Sequence, residues 1–173
     1  MNSEIRKEDK ISVALLYGSY ARGTPHKRSD IDLAVFIRAR DEKDEIEIRD
    51  KILMSTLAHD MEAAETLFQN RRYDWCLFIG HLVIEKVLKS FYVQSKKEIP
   101  PKIHNLVRLA ENTGISFTKE QLTLLADIND FNIETRYPDL KFKFYQMCTM
   151  EFTEEQFLKI KELYHWLLSQ MKY

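Results

Sequence analysis

Cysteine, glycine and proline are all scarce in this chain. Its 173 residues hold two cysteines, four glycines and four prolines. The two thiols, Cys76 and Cys148, lie far apart in apolar surroundings with no metal-ligand spacing, so they are expected to be reduced core residues. With 45% hydrophobic and 12% aromatic residues, the composition excludes a disordered chain and provides material for a core. Strong charge of one sign is also missing. A net charge of −1 lacks the basic excess of a protein that coats nucleic acid. No apolar run approaches the ~18 residues that span a bilayer. The charged opening "MNSEIRKEDK" has no apolar signal region behind it. The expectation is a cytoplasmic protein with no membrane partner.

What glycine and proline there is divides the chain. Gly18, Gly23 and Pro25 fall early, and none of either type occurs from Asp41 to Ile79, where helices are expected. "KISVALLYGS" reads as a buried strand ending at a glycine. "DIDLAVFI" follows the polar, turn-like "TPHKRS" and alternates, with Ile31, Leu33, Val35 and Ile37 on one face and Asp30, Asp32, Ala34 and Phe36 on the other. From about Asp44 the apolar period becomes helical, ending near Asn70. A second helix is expected from Tyr73 to Ser95, with a wide apolar stripe suited to the centre of a bundle. "EIPPKIH" breaks it. A short helix in "NLVRLAENTG" closes at Gly114. Thr118 and Gln121 have capping-box spacing before the next helix. "TRYPDLKF" reads as a loop, and Thr153 with Gln156 repeats the box before the last helix. The fold class is α+β, mostly α: a small β unit, residues 1–42, followed by an up-and-down bundle of about five helices, residues 43–173.

Two places carry chemistry. In "YGSYARGTPHKRSDIDLAVFI", Gly18 and Ser19 end one strand while Ser29, Asp30 and Asp32 open the next. Carboxylates at i and i+2 of a strand share a face and suit Mg²⁺. A Gly-Ser corner lets backbone N–H groups and a hydroxyl reach phosphate oxygens. "GSYARG" with "SDIDLAV" resembles the minimal nucleotidyltransferases of the DNA polymerase β superfamily. The resemblance implies a nucleoside triphosphate as substrate or ligand and Mg²⁺ as cofactor. Asp30 and Asp32 would be the catalytic metal ligands, with Gly18, Ser19 and Ser29 on the nucleotide. Active members use a third carboxylate on a later strand. Here the residues after Ile37 turn helical, and Glu45, Glu47 and Asp50 read as a solvated helix face with Arg49 and Lys51.

The second place is "RRYDWCLFIGHLVIEKVLKSFYV". His81, Glu85 and Lys89 fall at successive i, i+4 steps, with Lys86 beside them. A polar stripe in so apolar a helix must find partners or line a pocket. With Pro100, Pro101, His104, Leu106 and "RYPD" (Arg136 to Asp139), it resembles the HEPN family of helical bundles over roughly Ile48 to Lys172. Such bundles commonly accompany a minimal nucleotidyltransferase, including in toxin–antitoxin pairs, and often form homodimers. Members that cleave RNA use an Arg followed, four to six residues on, by a His. Neither Arg136 nor Arg108 has such a histidine. The expected function is nucleotide binding with Mg²⁺-dependent nucleotidyl transfer. The alternatives are a non-catalytic nucleotide-binding or toxin–antitoxin module with a protein or RNA partner, and a degenerate HEPN ribonuclease.

Overall fold

The computed structural model describes residues 11–17, 32–136 and 138–171. It is mostly helical. The described elements run β1 Ile11–Tyr17, β2 Asp32–Ile37, α1 Glu42–Gln69, α2 Tyr73–Lys96, α3 Leu106–Glu111, α4 Lys119–Arg136, α5 Pro138–Met147 and α6 Met150–Gln170. The chain divides into two compact units, Met1–Ile52 and Leu53–Tyr173, with the division inside α1.

In the first unit β1 and β2 pair antiparallel, Tyr17 opposite Asp32 and Ile11 opposite Ile37, with an irregularity between Ile11 and Val13. The helix that follows starts where aspartates satisfy its free N–H groups. Asp44 N–H donates to Asp41 Oδ1 at 2.8 Å, and Arg40 N–H donates to Asp44 Oδ2 at 2.9 Å. Asp44 is buried and also receives the Arg40 guanidinium at 3.3 Å. Arg49 donates to Glu45 at 2.9 and 2.6 Å, the i, i+4 pairing expected of a solvated face.

The second unit is built around α2. Its buried Cys76, Leu77, Val83, Ile84, Val87 and Leu88 form the wide stripe that the sequence spacing predicts. That stripe packs against α3, α4 and α6, which contribute among others Leu109, Ile128 and Ile160, all fully buried. Gly80 lets α6 approach α2. A Cβ there would lie 3.0 Å from Ile160 Cδ1 and 3.3 Å from Cγ2, so one methyl requires a small shift and a longer side chain has no room. Gly80→Leu is therefore expected to cost about 2 kcal/mol by overpacking. Urea unfolding checks this, and Ile160→Ala in the same chain should return part of the loss.

Local chemistry sets the helix ends. Thr118 N–H donates to Gln121 Oε1 at 2.9 Å and Gln121 N–H to Thr118 Oγ1 at 3.2 Å, a reciprocal box at the start of α4. Two expectations need correction. From Pro138 onward the chain is helical rather than a loop, because Pro138 is the first residue of α5, where its missing N–H costs nothing and its fixed φ suits the helix. The last helix begins at Met150 rather than near Thr153. Thr149 caps it, accepting from Phe152 N–H at 3.2 Å. Phe152 meets Phe131 edge-on at 6.5 Å, which draws that first turn against α4. Thr153 is buried inside the helix instead.

Both cysteines are buried thiols. Burial pushes the Cys76 thiol up to about 12, which removes the reactive thiolate. Iodoacetamide is accordingly expected to alkylate neither cysteine in the native protein and both in denaturant, as read by mass spectrometry. Alkylation of native Cys76 at the rate of a free thiol would contradict the packing described. Among the described residues no helix is long and apolar enough to cross a membrane.

Candidate functional site

The polar stripe on α2 finds its partners around one carboxylate. Glu85 is 6% exposed. Lys89 Nζ donates to Glu85 Oε1 at 2.6 Å. His104 Nδ1 lies 2.9 Å from Oε2 and 3.1 Å from Oε1, and His81 Nε2 lies 3.3 Å from Oε2. Burial works to raise the Glu85 pKa, but hydrogen bonds from His81, Lys89 and His104 outweigh it and hold the carboxyl at about 2. A buried anion is tolerable only with partners of this kind.

His81 ties this centre to α4. It is fully buried, and its Nδ1 sits 3.2 Å from the Ile128 carbonyl. A carbonyl can only accept, so Nδ1 carries a proton and donates. Nε2 then lies between Glu85 and the Asn132 amide, whose Nδ2 is 3.0 Å away. Asn132 Oδ1 is buried without a partner among the described residues.

His104 reaches Glu85 because of where the chain is punctuated. Pro100 and Pro101 lie in the connection from α2. Asn105 then caps α3, accepting from Arg108 N–H at 2.9 Å, while Leu106 N–H donates to Asn129 Oδ1 on α4 at 2.8 Å. One carboxylate thus joins α2 to the α3 entry and, through His81, to α4. Lys86 does not share this cluster. Its Nζ turns to α1, donating to Thr56 Oγ1 at 3.1 Å and pairing with Asp60.

Of the residues singled out for nucleotide and metal, Gly18, Ser19, Ser29 and Asp30 lie outside the described residues. Asp32 opens β2. Arg136 ends α4 and Asp139 lies in the first turn of α5. Among the described residues no group of three His, Cys, Asp or Glu could hold a metal ion. Asn129 and Asn132 are not among the residues that the sequence singles out. Their signal was two amides three apart in "DINDFNIE", a spacing that puts them on one helix face.

A family model described as "HEPN domain" matches residues 53–170. A second, "Polymerase beta, Nucleotidyltransferase", matches residues 1–71. No curated protein matches the chain. Among solved structures, TT1696 from Thermus thermophilus matches with a TM-score of 0.61 at 15% identity, over 71% of this chain and 98% of that one. At that identity the likeness is one of fold.

Proposed function

Since the chain belongs to the HEPN family, with a nucleotidyltransferase-type segment at its N-terminus, we propose that it binds a nucleoside triphosphate and transfers a nucleotidyl group with Mg²⁺. The observation that carries this reading is the spacing of "GSYARG" and "SDIDLAV" within the matched residues 1–71. Gly18, Ser19 and Ser29 hold phosphate, and Asp30 and Asp32 hold the cation. Bound there, Mg²⁺ would neutralise charge developing on the transferred phosphate. The donor set suits it, since hard oxygen ligands are what Mg²⁺ takes. The bundle supplies the surface through which two chains pair.

A second reading has its own support. Two of the carboxylates that follow β2 have local partners, Asp44 with Arg40 and Glu45 with Arg49. Either would have to leave its pair to serve as a third metal ligand. On that ground a non-catalytic nucleotide-binding module, of toxin–antitoxin type with a protein or RNA partner, is the alternative. Incubation with labelled ATP, Mg²⁺ and candidate acceptors separates the two. Label transfer supports the enzyme; retained ATP binding without transfer supports the binding module. RNA cleavage by the wild type, lost in Arg136→Ala, would instead point to a nuclease.

A further inference from the structure

Among the described residues, His104 differs from the other exposed histidines in what holds its ring. The side chain is 55% exposed, and its Nδ1 faces both oxygens of Glu85 at 2.9 and 3.1 Å. An ionised carboxylate only accepts, so the ring proton is fixed on Nδ1. Nε2 makes no hydrogen bond among the described residues, and in the neutral ring with its proton on Nδ1 it carries the lone pair. Glu85 does not depend on His104 for its place, because Lys89 donates to it from its own helix. The anion is therefore positioned in advance.

The geometry points to Glu85 and His104 as a carboxylate–imidazole dyad whose Nε2 is a nucleophilic site for a small activated phosphoryl donor. The electron count is simple. The Nε2 lone pair forms the N–P bond, and the bond from phosphorus to the leaving group breaks. The leaving group departs with that electron pair. Nδ1 keeps its proton, so the ring becomes cationic, and the buried Glu85 carboxylate offsets that new charge. Lys89 shares Glu85 Oε1, which places an ammonium beside the same carboxylate and favours an anionic electrophile over a neutral acyl group. Because Lys89 already pairs with Glu85, the surroundings suit a small phosphoryl donor rather than a polyanion.

The chain contains its own controls. His165 also donates from Nδ1, but to the neutral Lys161 carbonyl at 2.8 Å. His59 has only a 3.9 Å approach to Glu62, both exposed. The full chain is treated with phosphoramidate in mildly alkaline buffer, and phosphohistidine is mapped by mass spectrometry and ³¹P NMR. His104 is expected to be phosphorylated at Nε2 at least about tenfold faster than His165 or His59, the factor given by ~1.4 kcal/mol of charge stabilisation. Glu85→Gln, which keeps an acceptor but removes the charge, should bring His104 down to the His165 rate. Equal rates in the wild type, attachment at Nδ1, or an undiminished rate in folded Glu85→Gln would each overturn the proposal. The wild-type ratio decides alone if that variant does not fold.

Discussion

Glu85→Ala is expected to lower the unfolding free energy by about 3–5 kcal/mol, the usual loss when one partner of a buried ion pair is removed. In a chain of this size that corresponds to a fall in Tm of roughly 10–15 °C. The cost comes less from the lost bonds than from what stays behind. Lys89, 16% exposed, would keep its charge without a partner, and fully buried His81 would lose one neighbour of Nε2. His104 would no longer brace the entry to α3. Glu85→Gln should lose less, since the amide oxygen still accepts. The same carboxylate predicts an acid limb. Its pKa in the fold is about 2, against an ordinary 4.5. A group depressed in this way contributes stability above its unfolded pKa and loses it as pH falls through its folded pKa. A depression of that size is worth about 3 kcal/mol. The difference between wild type and Glu85→Ala should thus be full above about pH 4.5 and shrink progressively toward about pH 2. Urea unfolding across that window reads it. A gap that stays constant with pH would mean the charge of Glu85 contributes nothing and the loss is one of packing.

Much of the bundle was legible because helices are written locally. The stripe predicted for Tyr73 to Ser95 is α2, Tyr73–Lys96. The Thr118–Gln121 box marks the start of α4 as its spacing predicted. The errors came where one residue type permits two conformations. Pro138 reads as a break, yet proline is at home in a first helical turn. Thr149 and Thr153 are equally good caps as letters, and the ring of Phe152 against Phe131 selects the first. The site was legible in a similar, partial way. Spacing alone put His81, Glu85 and Lys89 on one face and demanded partners for them. It could not say that Lys86 turns to α1 while its neighbours do not. Nor could it find Asn132, whose contact with His81 joins residues far apart in sequence and exists only once α2 and α4 have packed.

The proposed transfer makes the sharpest demand on Asp30 and Asp32. Asp30→Asn and Asp32→Asn are each expected to cut Mg²⁺-dependent label transfer from ATP by more than about a hundredfold. A metal ligand contributes several kcal/mol of charge stabilisation in a phosphoryl transition state, and each ~1.4 kcal/mol is tenfold in rate. Asparagine keeps the size and one oxygen but removes the negative charge that holds a hard cation. Ser19→Ala should lose far less, roughly tenfold, because it removes one hydroxyl donor and leaves the backbone N–H groups of the corner in place. The order of effects is therefore diagnostic, carboxylates above hydroxyl. It should be mirrored in binding, where the aspartate variants lose the Mg²⁺-dependent part of ATP affinity and Ser19→Ala keeps it. If the wild type binds ATP but transfers nothing, that binding pattern still identifies the site, and the chain is the non-catalytic module. If both aspartate variants transfer label as the wild type does, the chemistry lies elsewhere and the role given to this strand is wrong.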